Sequence, residues 1–242
     1  MTIRNSAVKL LVSVIDASEC GAIRACPPDI ADMKNPADGS LGMPEAGAIR
    51  DVKKSLPAGL PLSVAIGDAV DDIEPYIARA KLAQNAGADI IKVGLLGFES
   101  ARREEIFLSR LCRCVTVPIV AAWYADLLDR PVWELPELAA RAGARGCLID
   151  SYYKTGGRLT DYLSLADIES YIEKCREFDV FSALAGSLGK QDIEWLSRLK
   201  PDVAGIRGAV TRGERGQPGI DLNRLSFFRD AFLQPVQAGL IL

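Results

Sequence analysis

An end-to-end alternation of short apolar runs with helical stretches predicts a single (β/α)8 barrel over residues 1–242. Three observations carry that expectation. Eight β-rich runs can be marked along the chain. Helical segments between them close on Gly-containing turns. The length of 242 residues matches the ~250 residues typical of this barrel. An open doubly wound sheet is the alternative, but its Gly-rich first turn is missing: the first strand is followed by ASECGA, without G-x-G-x-x-G.

The runs are Leu10–Ile15, Asp29–Lys34, Leu62–Ile66, Asp89–Val93, Val115–Ala121, Gly146–Asp150, Val180–Leu184 and Val203–Ile206. Apolar residues at three- and four-residue spacing predict helices over Ile73–Asn85, Glu99–Leu111, Glu134–Ala142, Leu165–Phe178 and Gln191–Leu199. Ala86-Gly87-Ala88 and Ala142-Gly143-Ala144 read as helix ends, because glycine takes positive φ without Cβ strain. Lys34–Pro44 (KNPADGSLGMP) reads as an irregular loop after the second strand, at the barrel end that carries active sites. No linker or low-complexity stretch marks a second domain.

Composition removes several function classes. The chain has no histidine, which excludes Ser-His-Asp and Cys-His catalysis and His-ligated metal. A net charge of −3 gives no basic field for nucleic acid or an anionic membrane. No apolar run reaches ~18 residues, and the N-terminus lacks a signal-peptide pattern, so a cytoplasmic protein with reduced thiols is expected. The six cysteines are irregularly spaced, and Cys112-Arg-Cys114 is a single C-x-C without a second pair. No metal and no cofactor are expected.

Ionisable residues sit where a barrel interior should be apolar. Lys34 ends strand two, Lys92 lies near the end of strand four and Asp150 ends strand six. Side chains from alternate strands share layers, so these three should converge at the mouth, with Asp32 one layer deeper. Burying them costs several kcal/mol unless they are paired. A lysine beside a second cation in a partly dry site is freed to attack a carbonyl, and its imine is an electron sink for aldol chemistry. A mutually satisfied Lys–Asp network without turnover is the bland alternative. Lys154, in DSYYKTGG, reads as a loop residue that either reaches the mouth or is solvated. Asp68 and Asp126 follow strands three and five; exposed loop acids are their commoner explanation. Gly186 and Ser187 follow strand seven, and Arg207 and Gly208 follow strand eight. In this fold those loops grip phosphate through backbone N–H groups.

On these residues the chain resembles the (5-formylfuran-3-yl)methyl phosphate synthase family of methanofuran biosynthesis. The shared motifs are LLVSVID (Leu10–Asp16), DMKNPADGSLG (Asp32–Gly42), GADIIKVGLLG (Gly87–Gly97), DSYYKTGG (Asp150–Gly157), ALAGSL (Ala183–Leu188) and GIRGAVTRG (Gly205–Gly213). CPPDIADMK departs from the archaeal pattern before the first lysine, and the chain resembles a bacterial member. The resemblance implies a barrel lyase acting on two molecules of glyceraldehyde 3-phosphate. It maps the Schiff-base lysine to Lys34, its neighbouring acid to Asp32, an acid/base lysine to Lys92, and a further Asp and Lys to Asp150 and Lys154. It implies no metal, and it allows homo-oligomer formation. Two other readings fit the same residues: a class I aldolase or isomerase for another triose or sugar phosphate, and a non-catalytic phosphometabolite-binding protein.

Overall fold

In the computed structural model, which describes residues 7–70, 72–153, 156–212 and 219–233, eight parallel strands close into a barrel in chain order. They are β1 (Lys9–Val14), β2 (Ile30–Met33), β3 (Leu62–Ala69), β4 (Ile90–Leu95), β5 (Ile119–Tyr124), β6 (Gly146–Asp150), β7 (Phe181–Leu184) and β8 (Val203–Ile206). The seam joins β1 to β8, with Lys9 opposite Val203 and Val12 opposite Ile206. Around the barrel run α1 (Cys20–Ala25), α2 (Ala46–Ser55), α3 (Glu74–Ala86), α4 (Ala101–Cys114), α5 (Leu135–Ala142), α6 (Leu159–Tyr162), α7 (Leu165–Glu177), α8 (Ile193–Leu199) and α9 (Leu222–Leu233). No described helix is long and apolar enough to cross a membrane.

The alternation along each strand sorts side chains into two cores. Ile30, Ile90, Val120, Leu148, Phe181 and Val203 point inward and pack on one another. Ala31, Met33, Ile91, Val93 and Ile149 point outward and bury the apolar faces of the helices, including Ile49, Ala80 and Leu108. Both cores exclude water from apolar surface, the main stabilising term for such a layered fold. The two A-G-A turns end their helices as expected: Gly87 (φ 107°) and Gly143 (φ 85°) are left-handed C-caps of α3 and α5.

Several boundaries differ from the sequence expectation, each for a local reason. The fifth strand runs over Ile119–Tyr124, not Val115–Ala121. α4 continues to Cys114, Gln84 Oε1 accepts from Thr116 N (2.7 Å) and Val117 N (3.4 Å), and Pro118 has no N–H to give a ladder. β3 runs on to Ala69 through a register shift between Ala65 and Asp68, where Gly67 takes φ 113°. β4 continues to Leu95, so Lys92 is a mid-strand residue rather than one near the strand end. Lys34 lies one residue beyond β2. α1 ends just before Pro27 and Pro28, as those prolines predict, whereas α2, α6 and α9 form outside the segments whose spacing predicts helices.

Candidate active site

A cavity of about 270 Å³ opens at the C-terminal mouth of the barrel. Asp32, Lys34, Lys92, Asp150, Gly186, Ser187, Arg207 and Gly208 all line it. Of the expected site residues, only Lys154 falls outside the described residues.

The two lysines are held by different carboxylates. Lys92 Nζ lies 2.6 Å from Asp32 Oδ1, and both side chains are almost wholly buried, at 6% and 1% exposed. Ser13 Oγ donates to the other carboxylate oxygen of Asp32 at 3.0 Å. Lys34 Nζ lies 3.7 Å from Asp150 Oδ2, nearer the opening. Burial pushes the Lys92 amine below the usual lysine range, the nearby Lys34 cation pushes the same way, and the Asp32 carboxylate opposes both. The register of β4 sets this depth. Lys92 faces Ala65 and Val120 on the flanking strands and so meets Asp32 inside the barrel, rather than the Lys34–Asp150 pair above it.

The loop that follows Lys34 is built into the mouth. Asn35 N donates to Gly42 O at 2.8 Å, and a Cβ at Gly42 would run into the Asn35 and Asp38 carbonyl oxygens, so the turn requires glycine. Ser40 Oγ donates across the mouth to Ser151 O at 3.2 Å, and Leu41 is fully buried in the inner core. Asp68 Oδ2 accepts from Ser40 N at 3.2 Å, and its other oxygen accepts a short bond from the Tyr124 hydroxyl. Burial, reinforced by the Asp68 charge, pushes that phenol well above its usual range, so it stays a donor. A Cβ on Gly94 would collide with both Asp68 and Tyr124. Asp126 accepts from Tyr152 N and Tyr153 N, each at 2.7 Å. Asp68 and Asp126 are therefore anchors for the mouth loops rather than solvated acids.

On the opposite side, Gly186 (φ 101°) and Ser187 (φ 55°) form two successive left-handed residues, and Gly208 opens a 3-10 turn, Gly208–Val210. A Cβ at Gly186 would press at 3.4 Å on Leu159 Cβ and Ser151 N, whereas one at Gly208 would meet no atom of the described residues within 4 Å. Gly186, Ser187, Gly208 and Ala209 all line the cavity, which brings a run of loop backbone N–H groups to its wall. Such clustered N–H groups suit an anion. Arg207 is more committed than its sequence position suggested. Its guanidinium donates to Ser13 O (2.8 Å) and pairs with the buried Glu19 carboxylate (3.0 Å), which also accepts from Ile15 N and Gly219 N at 2.8 Å each. The sequence does not single out Ser13, Glu19, Ser63 or Tyr124, and it marks Asp68 only as a loop acid. Serines at inward positions of LLVSVI and LSVAI, beside the Asp32 position, were the available signal for two of them. Nothing in the sequence marks Glu19.

Burial pushes the Cys112 thiol of α4 up to about 12.

Comparison with known proteins gives this mouth its context. Solved barrels share the fold: a 3-hexulose-6-phosphate synthase aligns over 93% of this chain and 100% of its own, at a TM-score of 0.63 and 18% identity. A phosphoribosyl anthranilate isomerase from Thermus thermophilus covers 94% of this chain and 100% of its own, at a TM-score of 0.64 and 15% identity. Sequence similarity reaches further. The (5-formylfuran-3-yl)methyl phosphate synthase of Archaeoglobus fulgidus is 34% identical over 217 residues, 86% of this chain and 92% of its own. That of Methanothermobacter thermautotrophicus is 34% identical over 212 residues, 84% of this chain and 89% of its own. The profile of the 4-HFC-P synthase family matches residues 10–228, and the chain belongs to that family.

Proposed function

We propose that this enzyme condenses two molecules of glyceraldehyde 3-phosphate through an imine on Lys34, giving 4-(hydroxymethyl)-2-furancarboxaldehyde phosphate for methanofuran biosynthesis. The observation that carries the reading is the pairing of two lysines with two carboxylates in one mouth that Gly186, Ser187, Gly208 and Ala209 of the β7 and β8 loops also line. The amine of Lys34 attacks the triose carbonyl, whose oxygen leaves as water. Protonated nitrogen then withdraws electrons from the adjacent carbon, which loses a proton and adds to the second aldehyde. Ring closure, with one phosphate and two waters lost over the whole sequence, leaves the aromatic furan and returns the lysine.

The other side chains have separate tasks in this scheme. Lys92, lowered by burial, accepts and returns protons near neutral pH more readily than an ordinary lysine. Asp32 holds it in place and opposes complete loss of its charge. Asp150 is positioned beside the Lys34 nitrogen, where a carboxylate favours the cationic imine. Gly186, Ser187 and Gly208 take a substrate phosphate on backbone N–H groups. Arg207 supplies a fixed positive field, partly neutralised by Glu19, and Lys154 remains a proposed participant from the loop after β6.

Incubation with glyceraldehyde 3-phosphate tests the proposal. The expected result is a rising absorbance from a conjugated furaldehyde, with phosphate released one for one. A sugar phosphate formed reversibly without phosphate release would instead assign an aldolase. Binding without any turnover would assign a phosphometabolite-binding protein.

A further inference from the structure

One hydroxyl in the cavity is left over from the ion-pair network. Ser63 lies in the middle of β3, side by side with Asp32 of β2, and lines the cavity. The residue is 1% exposed, and Ser63 Oγ meets no hydrogen-bond partner among the described residues. Its counterpart on the other flank of Asp32, Ser13, uses its proton on the Asp32 carboxylate. The next inward position on β3 is Ala65, so this wall accepts small apolar side chains. A buried hydroxyl without a partner is destabilising, and an alanine would remove the penalty.

We propose that Ser63 is a substrate-binding residue whose hydroxyl holds an oxygen on the carbon skeleton of the bound triose, at the end away from its phosphate. The placement follows from the barrel. β3 stands opposite β7 in an eight-stranded ring, and the N–H cluster follows β7 and β8. A triose phosphate gripped there extends its carbonyl end across the cavity, past the lysines, toward β3. The hydroxyl then donates to a carbonyl-derived oxygen or accepts from a substrate hydroxyl beside Asp32. This deepens the proposed function and rests on it for the identity of the triose.

The test compares the wild type with Ser63→Ala and with Ser63→Cys, which keeps the volume but hydrogen-bonds weakly. The proposal expects kcat/KM for furan formation to fall about 10- to 100-fold in both, a loss typical of a missing buried hydrogen bond. It expects Tm unchanged or raised in Ser63→Ala, and calorimetric affinity for inorganic phosphate unchanged. Affinity for dihydroxyacetone phosphate should weaken about 10-fold or more. Kinetics within 2-fold of wild type, or a fallen Tm with intact kinetics, would overturn the assignment. A wild type that makes no furan defeats the proposed function separately. In that event Ser63 is read from calorimetry alone, where equal triose-phosphate affinity in wild type and Ser63→Ala defeats the assignment as well.

Discussion

Replacing Asp32 with Asn keeps the shape of the side chain but removes the charge that faces Lys92. The geometry sets the size of the effect. The pair is 2.6 Å apart with 6% and 1% exposure, so solvent screens it little. Removing one partner of such a pair costs about 3–5 kcal/mol, because the other charge stays buried. For a chain of this size that corresponds to a Tm lowered by about 6–20 °C. Lys92 can escape part of the cost by giving up its proton, which fixes the pH dependence. Its folded pKa already lies below the unfolded value of 10.5, and losing Asp32 lowers it further. The penalty is therefore full below the folded pKa. Between the folded pKa and 10.5 the unfolded chain binds more protons, so stability rises with pH. Denaturant titrations of wild type, Asp32→Asn, Lys92→Met and the double variant, at pH 7 and pH 9.5, measure this directly. Asp32→Asn should be hurt most at pH 7 and recover toward pH 9.5. The double variant should be more stable than the sum of the single losses predicts, by about 2 kcal/mol or more. Additivity within about 0.5 kcal/mol, with no pH dependence in Asp32→Asn, would refute the buried pair.

Two further outcomes follow from the same site. Gly208→Ala meets no atom of the described residues within 4 Å, so its Tm should stay within about 2 °C of wild type. The added methyl would nevertheless intrude on the anion cluster, and KM for a phosphorylated triose should rise about 10-fold; an unchanged KM moves the phosphate elsewhere. In a pH–rate profile, the limb that requires a neutral lysine should have an apparent pKa below 10.5, the direction burial imposes on Lys92. A limb at or above 10.5 would place the proton transfer on an exposed group.

The barrel was legible because its signal is periodic. Alternating apolar runs at Leu62–Ile66 and Val203–Ile206, and the caps at Gly87 and Gly143, are dictated by local chemistry that survives folding. The convergence of Lys34, Lys92 and Asp150 also followed, since strand parity alone decides which side chains face inward. Depth was harder to read. Lys92 sits mid-strand because β4 continues through Gly94, whose missing side chain leaves room for Asp68 of β3 and Tyr124 of β5 to meet. The fifth strand was displaced for a similar reason: Val115 and Val117 have strand propensity, yet Gln84, from α3, holds that segment as a connection. Arg207 reads as an available cation in the sequence, but in the fold Glu19, 188 positions earlier in the chain, pairs with it. Such long-range pairings leave no local trace in a single sequence.

The central claim concerns which nitrogen becomes covalently attached, and borohydride reduction during turnover reads it most directly. With glyceraldehyde 3-phosphate present, peptide mass spectrometry should find a reduced triose adduct on Lys34. Lys34→Arg should fold normally and carry no adduct, since its guanidinium does not deprotonate. An adduct found on Lys92, or furan formed at wild-type rate by Lys34→Arg, would contradict the account.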